Sequence, residues 1–244
     1  MWRVARLAGL LVVAVLLTGG GRPGGSAAVA ASLTVVPTRV VLEGDRRTAS
    51  LVVRNGGSAP VLVRVETLRW IRAVPSIATE PDRELIAVPP VFRLPPGGEQ
   101  TIRIGLRQMP PLEREQTYRL LVSEVPTEEP KPRGGVQLAL RFSIPVFVQP
   151  AGVAPRLEAA LSRERDRLAV VLHNRGSAHA RVNRLRIARA GRGDRLGEAD
   201  PGYLLAGESR VVELSEPLPV GTVLEVEVET EGGTRSFELV VADG

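Results

Sequence analysis

The residues that could perform metal or thiol chemistry in this sequence are few. The 244 residues include no cysteine and two histidines, His173 and His179, which lie six positions apart. A zinc site takes three or four nitrogen, sulfur or carboxylate ligands, and this pair on a predicted strand and loop does not supply them. We expect both histidines to be exposed polar groups of a loop. The lack of cysteine excludes thiol catalysis and thiolate metal binding.

Glu128 and Glu129 form the one acidic pair that suggests acid–base catalysis. They lie in the segment PTEEPKPRGG. A Pro- and Gly-rich loop keeps carboxylates solvated, whereas a catalytic carboxyl needs surroundings that shift its pKa. The sequence also has no G-x-S-x-G nucleophile motif and no glycine-rich phosphate-binding motif. It therefore predicts no enzyme activity, no metal site and no cofactor.

Binding through the main chain is suggested instead by the segment GGVQLALRFSIPVFVQP, residues 134–150. Every second residue is apolar, which is the pattern of a strand with one strongly apolar face. The alternating residues are Val136, Leu138, Leu140, Phe142 and Ile144. This face either packs into the chain's own core or is lent to another protein. We favour lending for the part next to the loop 126–135, and both possibilities stay open downstream.

The first 30 residues have the composition of a secretory signal peptide. Arg3 and Arg6 precede an apolar run from Leu7 to Leu17, and small residues follow up to Ala30. The run is too short to span a bilayer as a helix, which takes about 20 apolar residues. Cleavage near Ala30 or Ala31 is therefore favoured over an uncleaved anchor. We expect a periplasmic mature chain without stable membrane insertion.

The mature chain has little net charge. Removing Arg3, Arg6 and Arg22 of the predicted signal lowers the net charge from +5 to +2. The remaining basic residues are scattered along the sequence. Nucleic-acid binding therefore has little support, because it usually requires a basic patch or stripe.

Short runs of Val, Leu, Ile and Thr, separated by Gly, Pro, Asn and Asp, indicate an all-β fold. Their spacing predicts about seven strands in the first domain, the number of an immunoglobulin-like β-sandwich. The segments VVRNGGSAPVLV and VLHNRGSAHARV are similar, with Asn55 matching Asn174, which favours a second sandwich. Prolines and glycines at 150–155 suggest the boundary. We therefore predict domains at 31–152 and 153–244.

Four segments of the first domain resemble, in the same order, strands of the periplasmic pilus-assembly chaperones of the chaperone–usher pathway. They are SLTVVPTRVVLEGDRRTASLVVRNGG, PPVFRLPPGGEQTIRIGL, TYRLLVSEVP and VQLALRFSIPVFVQP. The lack of cysteine and the form YRLLVSEVP are most similar to the archaic branch, whose members assemble simple fibres and coats. The second domain resembles the family loosely.

The resemblance implies two immunoglobulin-like β-sandwich domains set at an angle, with a cleft between them. The resemblance also implies that the chain's partners are pilin-type fibre subunits and an outer-membrane usher. A pilin-type subunit is an incomplete sandwich whose missing strand is filled by the chaperone's seventh strand, a form of strand addition. The residues from Val136 to Ile144 would belong to that lent strand.

The resemblance also implies a site for the carboxylate at the C-terminus of the subunit. In the family's better-known branches, a first-strand arginine and a late seventh-strand lysine bind it. The matching arginine is Arg39, and Pro145 stands at or beside the lysine position. Arg119 is a candidate substitute, because an antiparallel sixth strand would place it near Pro145 and arginine binds carboxylates in bidentate fashion. A surface location for Arg119 is the open alternative.

A secreted two-domain adhesion or structural module with the same folds is the alternative function. Such a module would need neither Arg39, nor an exposed alternating strand, nor the loop before that strand.

Overall fold

The computed structural model describes residues 33–44, 46–74, 76–108, 113–126, 139–164 and 167–243. Within these residues the chain forms strands and turns only, so the described part contains no helix that could cross a membrane. Several predictions fall outside the described residues. They concern the signal peptide, Glu128, Glu129, Val136 and Leu138.

Ten of the described strands precede Pro150. Their bounds are β1 Leu33–Val36, β2 Val40–Glu43, β3 Thr48–Asn55, β4 Val61–Arg72, β5 Ala78–Pro81, β6 Leu85–Val88, β7 Val91–Leu94, β8 Glu99–Leu106, β9 Gln116–Val125 and β10 Arg141–Gln149. Eight described strands follow. Their bounds are β11 Leu157–Glu164, β12 Arg167–Asn174, β13 Ala180–Arg189, β14 Arg195–Ala199, β15 Gly202–Leu204, β16 Ser209–Glu213, β17 Val223–Thr230 and β18 Gly233–Val240.

The strands before Pro150 form a sandwich of two sheets. One sheet has the order β1-β3-β8-β6, and the other has the order β2-β10-β9-β4-β5, with β7 also paired to β4. Alternate residues of both sheets fill the core between them, because successive side chains of a strand point to opposite faces. Fully buried core residues include Leu42, Val53, Val63, Ile102 and Leu120.

The described strands of the first sandwich outnumber the predicted seven because some chain segments serve two sheets or two partners. β1 pairs with β3 in one sheet, whereas β2 pairs with β10 in the other. One side of the long β4 pairs with β9, and its other side pairs with β7 and β5. The all-β prediction is confirmed, and the predicted strand count is too low.

The strands from β11 onward form a second sandwich. Its sheets have the orders β11-β12-β16 and β14-β13-β17-β18, with β15 paired to β13. Its core includes Leu172, Leu185, Ile187, Val226 and Val228. Among the described residues, no sheet mixes strands from the two sides of the segment 150–156. The domain limits at residues 152 and 153 stay a prediction.

Two buried asparagines make the same hydrogen bonds at equivalent corners of the two sandwiches. Oδ1 of Asn55 accepts from the main-chain N–H of Gly57, and Oδ1 of Asn174 accepts from that of Gly176. The carbonyls that accept from Nδ2 are those of Ala59, Leu94 and Pro95 around Asn55 and those of Ala178, Leu204 and Leu205 around Asn174. The internal similarity noted in the sequence therefore extends to structure.

Replacing Asn55 or Asn174 by Ala should lower the free energy of unfolding by about 2–4 kcal/mol. Each substitution leaves several buried main-chain groups without partners, and each such group costs about 1–3 kcal/mol before relaxation. Urea denaturation measures the loss. The exposed Asn183 on β13 offers the control Asn183→Ala, expected to change stability by less than about 0.5 kcal/mol. Equal losses in all three variants would contradict the prediction.

Candidate functional site

In the described structure, β10 has a partner strand along nearly all of one edge and along only part of the other. On one side β9 pairs with Arg141–Val148. On the other side β2 pairs only with Val146–Gln149. Among the described residues, the stretch 141–145 therefore has no strand on this second side. Main-chain groups on an open edge are available to hydrogen-bond another chain.

The apolar face of β10 becomes more exposed toward this open end. Ile144 is 3% exposed and belongs to the core of the first sandwich, whereas Phe142 and Leu140 are partly buried against that core. Ala139 and Arg141, on the alternate positions, are exposed. Of the two possibilities left open for the downstream part of this strand, packing into the chain's own core applies to Ile144, because its side chain lies in that core. Leu140 and Phe142 remain candidates.

Side chains of both sandwiches pack together in a cluster that we call the domain junction. It contains Trp70, Phe147 and Leu205, all buried, with Tyr203 packed against them. The rings of Trp70 and Tyr203 meet edge to face with centroids 5.4 Å apart, and those of Trp70 and Phe147 are 6.0 Å apart. Trp70 and Phe147 come from β4 and β10, so the second domain covers part of the sheet that contains β10.

Arg119 is buried against the domain junction, and not all of its hydrogen-bond donors have an acceptor among the described residues. It is 7% exposed, and its guanidinium carbon lies 3.5 Å from the Trp70 ring centroid. Nη1 donates to the Ser143 carbonyl at 3.3 Å, while the buried Nε has no hydrogen-bond partner among the described residues. Burial lowers the pKa of Arg119 to about 10; the charge of Arg181 acts in the same direction and Tyr203 opposes it. A buried cation with an unused donor favours binding of an anion.

The strand register places Arg119 and Arg39 on opposite sides of Pro145. Arg119 pairs with Pro145 across β9 and β10, so the predicted proximity of these two residues is confirmed. Arg39 immediately precedes Val40, which pairs with Val146 in the parallel ladder of β2 and β10. The alternative of a surface location for Arg119 is wrong, because its side chain is packed under the second domain.

Arg39 reaches across to the second domain. Its Nη1 donates to Oε2 of Glu231, which lies in the turn between β17 and β18. This hydrogen bond raises the pKa of Arg39, burial opposes the rise, and Tyr203 adds to it. Arg39 therefore faces the space between the domains, and its role in carboxylate binding stays a proposal.

A buried carboxylate joins the two sandwiches beside the domain junction. Glu115 accepts from the main-chain N–H of His179 at 3.0 Å and lies 2.7 Å from His179 Nδ1. It also accepts from Nε2 of Gln149 at 2.5 Å. The His179 ring stacks on Phe147 with centroids 3.6 Å apart. These hydrogen bonds replace water as partners of the buried Glu115 carboxylate. They also hold the second domain against β9 and β10.

Neither histidine is the exposed loop group that the sequence suggested. His179 is held between Glu115 and Phe147, and its side chain is 10% exposed. His173 is partly buried on β12, with Nδ1 2.6 Å from the Ser209 hydroxyl. The prediction failed because contacts between strands and between domains, which do not appear in the local sequence, cover both rings.

A comparison with known protein families finds a match over the first domain. Residues 32–154, half of the chain, match the family described as pili and flagellar-assembly chaperone, PapD N-terminal domain. The chain belongs to this chaperone family. The resemblance noted from four strand motifs is thereby confirmed, and the two immunoglobulin-like domains of pilus chaperones correspond to the two sandwiches.

Individual members of the chaperone family are similar at moderate identity. The chaperone FimB/FhaD of Bordetella pertussis is 32% identical over 134 residues, which covers 51% of this chain and 53% of that protein. The chaperone LpfB of Salmonella typhimurium is 28% identical over 127 residues, covering 51% of this chain and 52% of LpfB. The chain thus spans about half the length of the curated relatives that it matches.

A solved pilus-assembly complex has a chain with the same fold. It is the pre-assembly complex of the chaperone CsuC with the tip adhesion subunit CsuE, from archaic chaperone–usher Csu pili of Acinetobacter baumannii. The TM-score is 0.62 at 20% identity, covering 86% of this chain and 98% of the matched chain. This similarity extends beyond the first domain to both sandwiches.

The structure brings together residues that sequence reasoning did not select. They are Trp70, His179, Arg181, Tyr203 and Glu231. None belongs to a motif that the resemblance identifies. The rarity of aromatic residues, which make up 3% of the chain, was the available signal for Trp70 and Tyr203.

Proposed function

We propose that this chain is a periplasmic chaperone that binds pilin-type subunits, stabilises them by lending β10, and delivers them to an outer-membrane usher. The observation that carries the proposal is the half-open β10, whose apolar face continues, on the N-terminal side of Val146, beyond the stretch that pairs with β2. Membership in a family of assembly chaperones supports the same function. We propose no catalytic activity.

The energetics of strand lending fit the apolar residues at the open end of β10. An incomplete subunit exposes a sheet edge and an apolar groove, both of which promote aggregation. The lent strand supplies main-chain hydrogen bonds to the edge and side chains to the groove. Val136, Leu138, Leu140 and Phe142 are the proposed groove residues. Each such side chain contributes about 1.5–3 kcal/mol when it is fully buried.

Arg39 and Arg119 are the proposed ligands of the carboxylate at the C-terminus of the subunit. Both lie next to Pro145 at the end of the open stretch, and Arg119 has a buried donor that finds no acceptor in the part of the chain that the structure describes. An anchor at this point would also fix the register of the added strand. A slip by one residue would turn the apolar side chains of that strand to the wrong face.

Co-expression with the small secreted subunits encoded near an usher in the same genome tests the proposed function. The tagged chain, purified from periplasm, should carry a subunit that aggregates or is degraded without it. A folded chain in the periplasm that captures none of these subunits would contradict the proposal. Recovery on the cell surface or in the medium would favour the adhesion or structural module.

A further inference from the structure

Two arginines, one from each domain, lie over the ring of Tyr203 at the domain junction. The guanidinium carbon of Arg181, on β13, lies 4.8 Å from the ring centroid, and that of Arg119 lies 6.0 Å from it. Tyr203 also contributes to raising the pKa of Arg39. The charge of Arg181 contributes to lowering the pKa of Arg119, so these two cations lie close enough to repel each other.

One carboxylate among the described residues pairs with this group of arginines. Glu231 contacts Arg39, while Arg119 and Arg181 form no ion pair with a described carboxylate. The main-chain N–H of Glu231 donates to the carbonyl of Arg181 at 3.3 Å, and both residues line one pocket of the second domain. Three positive charges face one negative charge, which favours an additional anion.

We propose that Arg181 is a third ligand of the subunit's terminal carboxylate and that Glu231 is an internal carboxylate that the subunit displaces from Arg39. This inference rests on the proposed function and extends it. The anchor would span both domains, and the chain's own carboxylate would occupy part of it before a subunit binds.

The exposure of the Arg39–Glu231 pair makes this exchange physically reasonable. The two side chains are 39% and 50% exposed, and ion pairs on the surface contribute little to stability. Displacing Glu231 from Arg39 therefore costs little free energy. A bound carboxylate would gain Arg119 and Arg181 as well as Arg39, and Arg119 and Arg181 have no carboxylate partner within the described ranges.

Titration of the full mature chain with sodium acetate, followed by NMR of the arginine Nε–H groups, tests the site directly. Sodium chloride at equal ionic strength is the control. Acetate should shift the signals of Arg119 and Arg181. Glu231→Gln should tighten acetate binding about two- to fivefold by removing the competitor. Arg181→Ala should weaken it about tenfold. The variants Glu227→Gln and Arg186→Ala, which break an exposed ion pair of the same sheet, should leave it unchanged.

Capture of a pilin-type subunit by the same variants separates this inference from the proposed function. Stronger capture by Glu231→Gln and weaker capture by Arg181→Ala would support it. Normal capture by both variants, with no acetate-dependent shift of Arg181, would overturn the inference and leave the proposed function intact. If acetate binds as expected but the wild type captures no subunit, the proposed function fails while the anion site stands.

Discussion

Leu138→Glu combined with Leu140→Glu should abolish protection of the subunit while the free chain stays folded. Leu140 is only partly buried at the open end of β10, and Leu138 continues the same alternation. Two glutamates at these positions should lower the stability of the free chain only slightly. In the complex each would place a carboxylate in an apolar groove, at a cost of several kcal/mol. We expect co-purified subunit to fall by more than about a hundredfold, with circular dichroism and thermal unfolding as checks of the fold.

The matched control is Gln137→Glu combined with Ala139→Glu. It adds the same two glutamates to the same segment at the alternate positions, and it should leave subunit binding nearly unchanged. Unfolding of the leucine variant in the absence of any subunit would show that the apolar face belongs to the chain's own core. Equal loss of capture in both variants would show that charge alone matters.

Arg119→Met should make the free chain more stable and its subunit binding weaker. Burial lowers the pKa of Arg119 to about 10, so the guanidinium is charged at neutral pH. The folded chain bears the cost of burying that charge, and the cost is relieved only as the pH rises through about 10. Methionine keeps an unbranched side chain against Trp70 without a charge. Because the cation–π contact is also lost, we expect a net gain of about 1–2 kcal/mol in the free energy of unfolding.

The same substitution should weaken subunit affinity by about ten- to a hundredfold, the effect of losing one charged hydrogen bond. Urea denaturation and calorimetric titration measure the two effects. Arg69→Met is the control, because Arg69 lies 5.2 Å from the Tyr118 ring centroid but is paired with Asp82 at 3.7 Å. The Arg69→Met substitution should not stabilise the chain, and the Arg69→Met variant should bind subunits normally. An Arg119→Met chain that loses stability and keeps its affinity would show that Arg119 serves only the fold.

The features that could be predicted from the sequence depend on neighbouring residues. Alternation is a local pattern, so it identified the apolar face of β10 and the all-β class. The similar turns around Asn55 and Asn174 could be recognised for the same reason. The role of Ile144 could not, because its burial depends on the packing of the two sheets of the first sandwich, which brings together segments far apart in the sequence. Alternation continues unchanged from the buried part of the strand to its open part.

The candidate site likewise contains residues whose position could be predicted from the sequence and residues whose position could not. Arg119 could be placed near Pro145, because antiparallel neighbours bring the start of one strand beside the end of the other. The residues Arg181, Tyr203 and Glu231 could not be placed there. Their positions depend on how the second domain packs against the first, through contacts such as that between His179 and Glu115, and no motif encodes that packing.

Amide hydrogen exchange of β10, with and without a bound subunit, tests strand lending most directly. Strand lending predicts much slower exchange, in the complex, of the amides of residues 139–144 that point away from β9, because this open edge would be hydrogen-bonded to the subunit. The segment Val146–Gln149 is already paired with β2 and should change little. Unchanged exchange of residues 139–144, in a complex shown to be intact by co-purification, would contradict strand lending by β10.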